Sequence, residues 1–247
     1  MFNLIKFNFK KLFKTSQFYL ILGLFILVIS IFLAITIKDI KAGYDTVLSG
    51  LDFMLSINNV QILLVYGLFT GWYAIDDYTN NTVKIMYGKG YSRFKVYISK
   101  IIVLLIIMTI YFVITALVSL LLGTIFIGSK YTVKSNFSVI IALQYLGILY
   151  YTLGMFCFAD IVKNIYAVSV FSASMWIIDM IYVTSESFKK LKDKLLPSVI
   201  ASAYPFIVFT DSTSNQSQIQ EAILSGIIHI TICIMISYIL DKFSEHL

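Results

Sequence analysis

The charges of this 247-residue chain are gathered into clusters, and between the clusters lie uncharged runs long enough to cross a bilayer. A crossing takes roughly 20 apolar residues, because the hydrocarbon core is about 30 Å thick and an α-helix rises about 1.5 Å per residue. Residues 15–37, 53–75, 101–129, 135–159, 164–185 and 222–240 form such runs, the fifth interrupted by Asp179 and the sixth by His229. In lipid the backbone N–H and C=O groups find no water, so these runs fold as helices. The expected fold class is therefore all-α, a polytopic membrane protein with six transmembrane helices in a single domain over 1–247. Composition agrees: 13% of residues are charged, against about 25% in soluble domains.

Two features refine this layout. The first run follows a basic flank (Lys6, Lys10, Lys11 and Lys14), as a signal peptide would. However, it exceeds the roughly 7–15 apolar residues of a signal core and is followed by no small-x-small cleavage site, so a retained span is expected. Between the fifth and sixth runs, residues 186–221 contain the uncharged but short stretch from Leu195 to Thr210, punctuated by Pro197 and Pro205. Such a stretch reads as a re-entrant or interfacial helical element on the outer side. Were it to span, there would be seven helices and an outward C-terminus.

Lysine and arginine are more numerous in the N-terminal arm, in the 76–100 segment, near Lys163 and at Lys242 than on the opposite side. The bias places both termini in the cytoplasm. The arm, residues 1–14, has its own pattern. Phe2, Ile5, Phe9, Leu12 and Phe13 recur at helical spacing, whereas Asn3, Lys6, Lys10 and Lys14 share the other face. This is an interfacial amphipathic helix with its lysines toward anionic lipid, or a charged flank that sets topology; both can hold.

No stretch of these residues carries catalytic machinery. A phosphate-binding loop requires Gly-x4-Gly-Lys-Ser/Thr, but the single Gly-Lys pair, Gly88-Lys89, has Val83 upstream and Gly90 downstream. Metal-binding His-Glu-x-x-His and nucleophile-elbow patterns are absent from the sequence, and no metal site is expected. Cys157 and Cys233 each lie alone within an apolar run and read as small buried hydrophobes.

The segment from Asp76 to Lys100 is the most informative. The second run ends in Asp76-Asp77. Thr82-Val83-Lys84-Ile85-Met86 follows, then a turn through Gly88 and Gly90, then Ser92-Arg93 and a lysine at the foot of the third span. The spacing predicts a short helix over 82–87, capped by Asp77 or Asn81 and ended by Gly88 and Gly90. As a bare loop this would be a topology signal; as a helix with a basic rim it is a docking element.

These residues, Asp76, Thr82, Lys84, Gly90, Ser92, Arg93 and Lys100 in that order, resemble the membrane permeases of type-2 ABC exporters. The outline of an interfacial N-terminal helix, six spans and a broken element before the last is similar across the whole chain. Where such permeases often have Gly before the Thr, this chain has Asn81, which tolerates the same left-handed backbone.

The resemblance implies a subunit paired with a second permease, identical or homologous, and with two cytoplasmic ATPases that hold the ATP and Mg. No cofactor is then bound by this chain. It makes 76–100 the coupling loop to the ATPase, with Asp76, Asp77, Thr82, Lys84, Gly90, Ser92 and Arg93 as its contact set. The compact length is similar to permeases that remove amphipathic or antimicrobial peptides in lantibiotic immunity or toxin export. Small hydrophobic drugs or lipids remain alternative substrates, and a non-transporting assembly or sensory subunit is the alternative class. A Lys- and Ile-rich, Pro-poor composition points to a bacterial plasma membrane, of the Gram-positive kind.

Polar residues inside the runs are candidates for the substrate path. Asn58, Asn59, Gln61 and Thr70 lie in the second run, whose walls the resemblance places on that path; helix–helix hydrogen bonding is the alternative. Asp179 and His229 lie at similar depth in consecutive spans. They either share a wet cavity or reach the interface separately.

Overall fold

A computed structural model describes residues 1–43, 49–57, 62–80, 82–128 and 137–184, together with 223–224, 227–228, 230–232, 234–236 and 238–239. Every regular element among the described residues is helical: α1 (Phe2–Lys14), α2 (Ser16–Lys41), α3 (Gly50–Ser56), α4 (Leu63–Thr79), α5 (Thr82–Gly88), α6 (Arg93–Phe126), α7 (Phe137–Val162) and α8 (Ile165–Thr184). Three of them are long and apolar enough to cross a bilayer, namely α2, α6 and the Ile140–Val162 part of α7. The re-entrant element expected over 186–221 lies outside the described residues.

Burial follows helical periodicity. On α2 only Phe18, Ile21, Phe25, Ile29 and Leu33 are buried, while Leu20, Leu27, Ile31 and Ile35 are exposed. One face thus meets the bundle, and the other is apolar and exposed among the described residues, as a helix facing lipid should be. Aromatic side chains lock this contact: Phe25 meets Tyr66 of α4 at 4.9 Å between ring centroids and Tyr111 of α6 at 5.1 Å. The Tyr111 hydroxyl donates to the Phe18 carbonyl at 3.2 Å.

α4 is the hub, packed against α2, α6, α7 and α8 and buried over most of its surface. Lipid tails are as apolar as leucine, so membrane helices associate through small residues that let backbones approach. Gly67 and Gly71, one turn apart on α4, make that approach to α8. A Cβ on Gly67 would run into the Ser172 hydroxyl, and one on Gly71 would meet the Val168 Cγ1. At the other end of the bundle α3 and α6 touch backbone to backbone, a Cβ on Gly123 falling 2.8 Å from the Gly50 Cα.

The second apolar run is described in two helical pieces, and residues 58–61 between them lie outside the described residues. These are α3, which runs to Ser56 with Ile57 as its C-cap residue, and α4, which opens at Leu63. Gln144 of α7 donates to the Leu55 carbonyl of α3 at 2.9 Å. The third run is longer than expected, because α6 starts at Arg93, about two turns before Ile101. In the sixth run the described residues are helical, with Ile230, Ile234 and Tyr238 packed on the core.

Candidate functional site

α4 ends in Asp76 and Asp77, two anions in the last turn, where the helix dipole favours cations. Such a placement is stable only if positive groups are brought to it. Two arrive from other helices. Lys11 of α1 pairs with Asp76, and its Nζ lies 2.6 Å from Asp77 Oδ1. Lys100 of α6 approaches the other Asp77 oxygen at 3.0 Å. Its Nζ also donates to the Ala74 carbonyl at 3.4 Å, and the Tyr73 hydroxyl donates to the Lys100 carbonyl at 3.3 Å.

Tyr78 extends the cluster to α7. Its hydroxyl donates to the carboxylate of Asp160, itself buried. Its ring carries two ammonium groups, Lys100 at 4.9 Å and Lys163 at 4.8 Å from the centroid. Lys163 occupies the tight α7–α8 turn with φ 53°, and the next residue, Asn164, accepts from the Tyr166 and Ala167 N–H groups to start α8. Charged and aromatic side chains thus join α1, α4, α6 and the α7–α8 turn at one end of the bundle.

Burial sets the stakes. The Asp77 and Lys100 side chains are 5% and 4% exposed. A carboxylate so buried resists ionisation, yet the charges of Lys100 and Lys11 and their hydrogen bonds outweigh this and hold Asp77, beyond the apolar part of α4, below its ordinary 3.8. Burial likewise opposes the Lys11 ammonium, but Asp77 and Asp76 outweigh it and raise Lys11 above 10.5. Asp77 therefore contributes stability that is complete above 3.8 and is lost as pH falls through its lower native value. Lys11 contributes stability that is complete below 10.5 and is lost as pH rises through its higher native value. The expected thermal midpoint in detergent has a plateau across neutral pH and an acid limb, and Asp77→Asn flattens that limb. An acid limb unchanged in the variant would remove Asp77 from the account.

α5 follows directly from α4. Val83 and Met86 turn inward, and Met86 packs with Leu4 of α1 and Val96 of α6. The helix ends as expected at Gly88 and Gly90. Gly90 takes φ +80°, its N–H donates to the Tyr87 carbonyl at 2.9 Å, and the Tyr91 N–H reaches the Met86 carbonyl at 3.3 Å. That is the Schellman arrangement, which requires a left-handed residue and so favours glycine. The Arg93 guanidinium lies 5.5 Å from the Tyr87 ring centroid, joining α5 to the start of α6. Left outward are Lys84, Lys89 and the 56% exposed Ile85.

The expected site residues divide accordingly. Asp76 and Asp77 turn into the bundle, so Asp77 does not cap α5 as the spacing suggested; Asn81 lies outside the described residues. Thr82 opens α5, Lys84 is exposed on it, and Ser92 is the N-cap residue of α6. Thr70 is fully buried and donates to the Tyr66 carbonyl one turn back at 2.8 Å, as a hydroxyl satisfied within its own helix. Asn58, Asn59, Gln61, His229 and the Asp179 side chain lie outside the described residues.

Sequence reasoning placed Lys100 in the family motif but gave no site role to Lys11, Tyr78, Asp160 or Lys163. The signal available was the acidic pair at the C-terminal end of a helix, which demands cations from elsewhere. Cys157 is buried, as expected of a small hydrophobe.

A family model described as "ABC-2 family transporter protein" matches residues 4–186, from the first turn of α1 to just beyond α8. No curated protein matches the chain.

Proposed function

Because the chain belongs to the ABC-2 transporter family, we propose that it is the permease subunit of an ATP-driven exporter, with α5 as the helix that docks on a separate ATPase. The observation that carries this reading is the two-sidedness of α5. Val83 and Met86 anchor the helix to the bundle, while Ile85, flanked by Lys84 and Lys89, faces outward. An apolar knob inside a basic rim suits a groove with an apolar floor and acidic edges.

Force applied to α5 passes straight into the end of α4. There the pairs to Lys11, Lys100 and Asp160 distribute it over α1, α6 and α7. In this reading Asp76 and Asp77 transmit motion from inside the bundle, and Thr82, Lys84, Gly90, Ser92 and Arg93 shape or present the docking surface. The ATP and Mg belong to the partner. The six spans, the cytoplasmic termini, a bacterial plasma membrane and assembly with a second permease complete the proposal.

For the substrate we favour amphipathic or antimicrobial peptides, as in immunity to lantibiotics or toxin export. Asn58, Asn59, Gln61, Asp179 and His229 are the polar candidates for the path. The support is analogy with compact permeases, and small hydrophobic drugs or lipids are the alternative.

The first test is affinity purification of the native chain in mild detergent with assay of ATP hydrolysis in the eluate. Alongside it go a variant with residues 82–93 replaced by a Gly/Ser linker and an Ile85→Asp variant. The expected result is ATPase recovery with the native chain, none with the linker variant and at least about a tenfold loss with Ile85→Asp, as for a buried apolar anchor. Absence of ATPase from the native eluate would favour a non-transporting membrane subunit.

A further inference from the structure

The four lysines of α1 do different things. Lys11 turns inward to Asp76 and Asp77, whereas Lys6, Lys10 and Lys14 are exposed. At about 100° per residue these three share one sector with Asn3, and the adjoining sector holds Phe2, Phe9 and Phe13. Phe2 is 78% and Phe13 44% exposed. The remaining face, Leu4, Asn8, Lys11 and Leu12, docks on the bundle; Asn8 donates to Ser99 of α6 at 3.2 Å. That grip fixes the rotation of α1, so its aromatic and basic sectors cannot exchange places.

The chain itself says what covers the outward face. Thr15 breaks the helix in an extended conformation, and Ser16 begins α2, an apolar helix long enough to span. Lys14 is therefore within a turn of the bilayer surface, and α1 has a membrane as its neighbour.

We propose that the outward face of α1 is a binding site for anionic lipid headgroups. Lys6, Lys10 and Lys14 meet the phosphates, and the exposed Phe2 and Phe13 enter the acyl boundary beside them. Lysines near an anionic surface each strengthen binding roughly fivefold. The same lipid layer presses α1 toward α4, so lipid composition reaches the Lys11–Asp77 pair and steadies the charged cluster. A free phosphate ion offers the same chemistry to the lysines but nothing to the aromatics.

The test uses the full chain in phosphatidylcholine nanodiscs with and without phosphatidylglycerol, read by the thermal midpoint. Its readout needs no ATPase, so it stands or fails apart from the exporter reading. The expected result is a higher midpoint with phosphatidylglycerol, lost in high salt and in the Lys6→Gln/Lys10→Gln/Lys14→Gln variant. A Lys84→Gln/Lys89→Gln variant should keep the response. Equal midpoints in the two lipids, or a full response in the triple variant, would overturn the proposal. So would the same gain from soluble glycerophosphate, which would indicate a free-anion site. A cationic lipid in place of phosphatidylglycerol tests the wild-type chain without mutation: the midpoint should fall, and an unchanged one counts against the site.

Discussion

Replacing Asp77 by Asn is expected to destabilise the folded chain by about 3–5 kcal/mol, the cost of breaking a buried ion pair by removing one partner. The loss comes chiefly from Lys100. Its side chain is 4% exposed, and without Asp77 it keeps, among the described residues, the Ala74 carbonyl at 3.4 Å and the face of Tyr78. Lys11 suffers less, because Asp76 still pairs with it and its side chain is 23% exposed. The measurement is the thermal midpoint in detergent, where a fall on the order of 10 °C corresponds to such a loss. Lys100→Met should cost a similar amount by stranding part of the Asp77 charge. The double variant Asp77→Asn/Lys100→Met should recover much of it, since removing both charges leaves neither stranded. If the single and double variants behaved additively, the two residues would not be coupled and the cluster would not be a unit. Midpoints within experimental error of wild type would show that the pair is not buried.

The second large effect is expected at Gly67. A Cβ there already collides with the Ser172 hydroxyl and falls 2.7 Å from the Tyr151 hydroxyl, two groups that are hydrogen-bonded to each other at 3.0 Å. Gly67→Leu must push α8 away from α4 or rotate one against the other. Overpacking of a filled interior costs about 1–3 kcal/mol and more where backbone must move. Gly71→Leu should act alike, through Val168 Cγ1 at 2.5 Å.

Gly23→Ala supplies the control. It lies on the exposed side of α2 with nothing within 4 Å of an added Cβ, and should be neutral or gain up to about 1 kcal/mol in helix propensity. Thermal midpoint and protease resistance in detergent check all three. A Gly67→Leu chain as stable as Gly23→Ala would mean that α4 and α8 are not in contact. The functional corollary follows from position: the Gly67–Ser172 contact lies on the same helix that ends in the charged cluster, so loosening it should weaken ATP-coupled transport as well.

Hydropathy alone determines that this chain is helical and membrane-spanning, because lipid leaves the backbone few other ways to satisfy its hydrogen bonds. Motif spacing determines α5 and its glycine ending, because a short helix that stops in a Schellman turn needs a left-handed residue at one position, and Gly90 occupies it.

Other features were beyond any reading of single residues. Helical spacing sets Lys11 apart from Lys6, Lys10 and Lys14, but only the packing of Leu4, Asn8 and Leu12 on the bundle decides that it faces Asp77. Asp160 and Tyr78 are 82 residues apart, and no local pattern announces their pairing. The hydrogen bond from Gln144 to the Leu55 carbonyl is hidden for a related reason: hydropathy counts apolar residues but does not pair groups 89 residues apart. Local physics chose the helices and where they turn. Which charges meet depended on the rotation of each helix, and that is settled only when several helices bury their faces together.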